Sequence, residues 1–255
     1  MPNHYDTQDH EPGQRDHRGT SDMRPLETGS SAILIELREH VPFSVAAVAI
    51  GLIVAGAICV LGFGREAAEA VAEHEHEYVP DPARLFFHLF HPAHMLFSAA
   101  ATTAMFYRYE KKTAKAIVIG MIGAIGVCGI SDIAMPHASL LLLGTPTPLH
   151  ICVWEHPSLV LPFAVVGVFV GVAAAESVVR STLISHSLHV LASTMASIFY
   201  MVGPLGIIAW IDDLGKVFVF VVLAVMVPCC VSDIVFPLLL TKRGRDKYHQ
   251  EPHPQ

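Results

Sequence analysis

The sequence predicts an all-α integral membrane protein with six transmembrane helices arranged as a 3+3 inverted-topology repeat. Three observations carry that expectation: long apolar runs, basic residues on alternate connections, and matching windows in the two halves of the chain. Of 255 residues, 53% are hydrophobic and only 15% are charged, whereas soluble domains carry about 25% charged residues. Sixteen Lys plus Arg stand against 23 Asp plus Glu, for a net charge of -7. Such a chain has no basic surface on which to hold phosphates, so nucleic acid is excluded as a partner.

Residues 1–32 are polar, rich in Pro, Gly, Asp and His, and almost without aliphatic side chains. They cannot bury enough surface to offset the entropy of ordering and are expected to form a disordered tail. No apolar run appears before Ala32, so no cleavable signal peptide is expected. The apolar runs then fall at 41–63, 86–107, 115–136, 158–179, 183–211 and 215–240. Each is near the length of about 20 residues that a helix needs to cross a bilayer. Within the fifth, Gly203-Pro204 marks an expected break. A basic tail, 242–255, closes the chain. Cys59, Cys128, Cys152, Cys229 and Cys230 lie mostly inside apolar runs, which argues against a secreted disulfide framework.

Short loops rich in Lys and Arg stay on the cytoplasmic side. Arg108, Lys111, Lys112 and Lys115 lie between spans 2 and 3, Arg180 between 4 and 5, and Lys242, Arg243, Arg245 and Lys247 in the C-terminal tail. The opposite connections hold Arg65 and Arg84 among many acids, no basic residue between spans 3 and 4, and Lys216 beside Asp212 and Asp213. Both termini are therefore expected inside a multi-pass protein of the cell membrane.

The halves 33–136 and 137–241 each read as a three-helix repeat. Pro42-Phe43 with Gly51 matches Pro162-Phe163 with Gly171, and His91, His94 and Ser98 match His186, His189 and Ser193. Cys128, Ser131, Asp132 and Pro136 match Cys229, Ser232, Asp233 and Pro237. The polar identities occur in one order, at offsets of 120, 95 and 101 residues that differ only by connection lengths. An odd number of helices per unit makes the two units inverted, the layout of many secondary transporters.

Residues three or four apart share a helix face. His91, His94, Ser98 and Thr102 thus form a polar stripe on span 2, and His186, His189, Ser193 and Ser197 its counterpart on span 5. Cys128 with Asp132, and Cys229 with Asp233, are four apart. Sorted by depth, the first set lies toward the outer face and its copy toward the inner face. Each set is a transition-metal donor set of imidazole, carboxylate and thiol. Glu155-His156, with His137 and His150, precedes span 4 on the outer side, and Glu39-His40 precedes span 1 on the inner side, so these are expected to complete the clusters. Ser98 and Ser193 are the expected acceptors for the second ring nitrogens. His88 extends the outer stripe but its repeat position is Leu183, which ranks it below the paired histidines.

Plainer roles exist for many of these groups. A single His near a helix end commonly bonds to backbone, a Ser-Asp pair can cap a helix, and Glu176 four before Arg180 reads as a local ion pair. The intramembrane carboxylates weigh against them, because each costs about 2.5 to 3.5 kcal/mol at a span centre and marks function by default. The acidic tract Glu73-His74-Glu75-His76-Glu77 is either a cation-gathering loop or a solvated one, and the tail histidines His4, His10, His17, His249 and His253 are not preorganised.

These features favour a divalent transition-metal transporter or metal-handling permease for zinc, iron, nickel or manganese, with the bilayer and the metal ion as its partners and a homo-oligomer as a compatible state. Two alternatives stay open. One is a redox protein with His-ligated b-type haem, which would have to borrow His150, His156 or His40, since two His three apart on one helix cannot clamp one haem. The other is a membrane-embedded metal-dependent hydrolase in which Asp132 or Asp233 polarises a metal-bound water. The sequence contains no His-Glu-x-x-His helix, phosphate-binding glycine loop or nucleophile elbow, so a carrier is favoured over an enzyme.

Overall fold

The computed structural model describes residues 30–59, 61, 82–175, 182–230, 236 and 240, and among them every element of regular structure is helical. In chain order these are α1 (Ser30–Ile58), α2 (Pro82–Tyr109), α3 (Thr113–Gly129), a π-helical segment (Ile130–Ala134) that continues into α4 (Met135–Leu142), the four-residue α5 (Cys152–Glu155), α6 (Pro157–Ala173), α7 (Thr182–Asp212) and α8 (Leu214–Cys230). Thr113–Leu142 and Ser187–Gly206 are long and apolar enough to cross a membrane, while Ser44–Ile58, Pro157–Ala173 and Leu214–Cys229 are shorter apolar helices. α2 has 28 residues, but His91, His94, Ser98, Thr102 and Thr103 dilute its apolar character, and all five are buried.

Polarity is distributed inside out. Large apolar side chains such as Ile53, Leu61, Leu89, Ile122, Leu142 and Phe169 are exposed, while Ser44, His94, Asp132, His189, Thr194 and Ser197 are buried. A soluble monomer rarely leaves so much apolar surface open.

Neighbouring contacts fix the helix directions. His91 faces Asp132 and His94 faces Cys128, so α2 and α3 run antiparallel. Phe86 and Phe90 stack on Phe199 while His94 meets His189, so α2 and α7 are antiparallel as well. α6 runs parallel to α2, with Gly167 against Leu96 and Ala99 and Gly171 against Ala100 and Thr103. α1 runs parallel to α7, with Gly51 against Thr194 and Gly56 against Trp210. α8 returns along α7 and brings the Cys229 Sγ within 3.7 Å of the Ser193 Oγ.

The parallel contacts depend on small residues. A Cβ at Gly167 would run into the carbonyl oxygen of Leu96, and one at Gly171 would lie 2.6 Å from that of Ala100. Neither carbonyl can move without shifting α2. Gly167→Ala is therefore expected to destabilise the protein by about 1 to 3 kcal/mol through overpacking, read as a lower unfolding midpoint in detergent. Gly126, with nothing within 4 Å of its Cβ position, is the control. Gly126→Ala should leave the midpoint unchanged or raise it.

Two expectations about boundaries are corrected. α7 passes through Gly203-Pro204, and the non-helical residue is Gly206, at φ 71 and ψ 157. Proline disturbs the helix, but only glycine takes that positive φ without strain, so the departure sits at the next glycine. α1 begins at Ser30, inside the segment that composition assigns to the tail.

Candidate metal centre

The site grows from a local irregularity in the third helical run. In the π-helical segment Ser131, Asp132 and Ile133 are all buried, three consecutive residues that a regular turn would splay over most of its circumference. Wide turns of this kind are frequent at functional sites. The Ser197 hydroxyl donates to the Ser131 carbonyl at 3.1 Å, satisfying an acceptor in this segment.

Asp132 accepts four hydrogen bonds. Its Oδ2 takes the Nδ1 protons of His91 at 2.9 Å and His94 at 2.7 Å, and its Oδ1 takes the hydroxyls of Ser131 and Ser193, each at 2.8 Å. Because a carboxylate only accepts, both imidazoles are assigned as Nδ1–H tautomers, which leaves each Nε2 with a lone pair. The His94 Nε2 points that lone pair at the His189 Nε2, 2.7 Å away, with the Cys128 Sγ at 3.6 Å and the Cys229 Sγ at 3.8 Å. All four side chains are buried.

The donor atoms of His94, His189 and Cys229 lie within 4.8 Å of one another and fit three positions of a tetrahedral ion, with the Cys128 Sγ beside His94 as a further sulfur. Bonds of about 2.0 Å to nitrogen and 2.3 Å to sulfur put nitrogen and sulfur ligands about 3.5 Å apart and two nitrogens about 3.3 Å apart. The His94-to-sulfur distances already match, and the two imidazoles need to part by a few tenths of an ångström. Asp132 behind His94 supplies the carboxylate–histidine–metal arrangement that fixes a ligand's tautomer and orientation.

This geometry corrects the separation of the donors into an outer and an inner cluster. His94 and His189 meet at one centre with Cys229, and Cys128 lies beside His94. The reason is helix length. His94 lies twelve residues into α2 and His189 seven into α7, rises of about 18 and 10 Å from opposite ends. Together these account for nearly the whole ~30 Å thickness of a bilayer core. Ser193 is also reassigned, since it bonds to Asp132 rather than accepting from a histidine. Asp233 and the side chain of His186 lie outside the described residues, as do Glu176, Arg180, the tract 73–77 and the side chains of Glu39 and His40.

Glu155 and His156 do not join His91, His94 and Asp132. They belong to a second, half-buried group with His88 and His150, whose ring nitrogens, with that of His156, lie within 4.8 Å of one another. The His150 Nδ1 donates to the Glu155 Oε2 at 2.8 Å, and the Ile151 N–H donates to its Oε1 at 3.0 Å. That backbone bond, helped by His150, holds the Glu155 carboxyl below its ordinary range, while burial holds His150 below the usual imidazole range against the pull of Glu155. Burial pushes the nearby Cys152 thiol up to about 12. His137 joins neither group among the described residues.

His91 stands between the two. Phe87 stacks on its ring at 5.1 Å and meets the His150 ring edge-on at 5.9 Å. The His91 Nε2 is buried without a hydrogen-bond partner, and the residue borders a cavity of about 210 Å³ lined also by Met95, Ile125, Ile133, Leu149 and Val153.

No family model, curated protein or solved structure matches the chain. What the structure itself establishes is, among the described residues, a helical protein with two helices able to cross a membrane and His and Cys groups able to hold a metal ion.

Proposed function

We propose that this is a multi-pass membrane protein that binds a divalent transition metal between His94, His189, Cys128 and Cys229 and passes it across the bilayer, a metal permease rather than an enzyme. The observation that carries this reading is the 2.7 Å approach of His94 and His189. The two are repeat-equivalent, as are the flanking cysteines, so the donor set straddles the axis that would relate two inverted halves. Sites of secondary transporters sit at that interface, near mid-depth.

The six-span arrangement draws support from the alternating helix directions and the exposed apolar surface, while the cytoplasmic side of both termini rests on the Lys and Arg of alternate connections alone. Equivalent glycines also pack equivalently. Gly51 rests on Thr194 and Ile198 of α7, and Gly171, its match, rests on Ala100 and Thr103 of α2. Ile198 and Thr103 are related by the same offset of 95 residues that relates the histidines.

Two imidazoles and two sulfurs suit zinc best and manganese worst, because thiolates select soft and borderline ions. A hydrolytic metal keeps a coordination position open for water, and Cys128, beside His94, is the sulfur that would close that position if it moved onto the ion held by His94, His189 and Cys229. The haem alternative is disfavoured because imidazoles in hydrogen-bond contact leave no slot for a porphyrin plane. The test is zinc uptake into proteoliposomes with an enclosed zinc-sensitive dye. Wild-type protein is expected to give uptake above protein-free vesicles, and His94→Ala with His189→Ala to abolish it. Equal uptake by the folded double variant would refute the reading.

A further inference from the structure

We propose that His88, His150 and His156 form a second divalent-metal site, shallower than the buried centre and chemically distinct from it, at which an ion exchanges part of its water shell for imidazoles. The site stands on its own geometry, and only its role as a loading station rests on the permease reading.

Three observations converge on it. α2 supplies His88 and the segment around α5 supplies His150 and His156, and the His88 and His150 Nε2 atoms are 3.4 Å apart. That is close to the ~3.3 Å separation of two nitrogens on one tetrahedral ion. The His156 Nε2 is buried without a hydrogen-bond partner, which a bound cation would satisfy. Glu155 takes the Nδ1 proton of His150 and is itself pinned by the Ile151 amide, so the His150 lone pair is turned toward His88. The same carboxylate–histidine device that prepares His94 in the centre therefore recurs here, beside His88, whose repeat position is Leu183.

The donors differ in a way that decides their use. Three nitrogens and no sulfur leave a fourth position to water, the arrangement of exchangeable rather than closed zinc sites. His88, His91 and His94 follow one another on one face of α2, each step rising about 4.5 Å, which puts the two sites about 9 Å apart along the helix. The buried Phe87 ring lies against both His91 and His150 and keeps the two sites separate.

Cobalt(II) titration of the full-length protein in detergent distinguishes the sites, because only the buried centre offers sulfur. Wild-type protein is expected to bind Co2+ in two classes, one with a near-ultraviolet sulfur-to-cobalt charge-transfer band and one with ligand-field bands alone. His150→Ala with His156→Ala should remove the second class and keep the first, and Cys128→Ser with Cys229→Ser should do the reverse. His88→Asn is the milder variant should the double one not fold, and it is expected to weaken the sulfur-free class at least tenfold. Retention of both classes at unchanged affinity in the folded histidine variants would overturn the proposal. A wild-type protein without the charge-transfer band, but with Co2+ binding that depends on His150 and His156, would uphold this site and count against the buried centre.

Discussion

Asp132→Asn is expected to lower the zinc affinity of the proposed buried centre by about 10- to 100-fold, the usual effect of losing the partner that orients a ligating histidine. The carboxylate accepts from four donors, two of them imidazole Nδ1 atoms on a single oxygen. An amide has one accepting oxygen and presents N–H groups on its other side. Ser131 and Ser193 can still donate to that oxygen, but His91 and His94 would then face donors. His94 escapes by moving its proton to Nε2, the atom that otherwise offers a lone pair beside His189. Ligation is lost through the tautomer, although no ligand has been deleted. Chelator competition on the purified full-length protein measures the change. An affinity equal to wild type in a folded Asp132→Asn protein would show that the carboxylate does not prepare the site.

The second large effect is that of Cys128→Ser together with Cys229→Ser. Replacing both sulfurs by hydroxyls converts a set suited to zinc into one that holds no borderline ion well. The loss should exceed the ~100-fold ceiling expected for an orienting partner. The cysteines pack within a largely apolar cluster that includes Met95, Val190 and Val225. Two hydroxyls there would also have to find partners, so some loss of stability accompanies the loss of metal. Separating the effects requires the double variant to be compared with Cys128→Ala and Cys229→Ala, which bury no new polar group. Both double variants should lose metal, and the alanine one should keep more stability. If the alanine variant keeps wild-type zinc affinity, the sulfurs are not ligands.

Much of the centre was legible before any coordinates. Repeat matching singled out His91, His94, His189, Cys128, Cys229 and Asp132 because polar identities in register are rare in apolar sequence. It did not show that His94 and His189 touch. Depth read from apolar runs starts α2 at residue 86, whereas the helix begins at Pro82, and a polar first turn adds about 6 Å that hydrophobicity does not register. Extending each helix through its polar ends would have revealed the convergence. The π-helical turn was hidden for a different reason: Cys128 and Asp132 share a face at a spacing of four in a regular helix too, so the pattern carries no sign of the widened turn. The half-buried triad of His88, His150 and His156 depends on how the chain from 145 to 156 folds back over α2, a tertiary contact that no periodicity encodes. His88 lacks a repeat equivalent, its counterpart being Leu183, which lowers its rank in a repeat comparison, yet that absence is what a site belonging to one half would produce. In α7 the sequence points to Gly203-Pro204 because proline is the stronger signal of a break, while the backbone turns where glycine permits a positive φ.

X-ray absorption at the zinc edge of the zinc-loaded full-length protein, with His150→Ala and His156→Ala in place to silence the shallower site, tests the buried centre most directly. The prediction is one tightly held zinc with nitrogen ligands at about 2.0 Å and two sulfurs at about 2.3 Å. A first shell without sulfur, or a folded protein that retains no zinc, would contradict it.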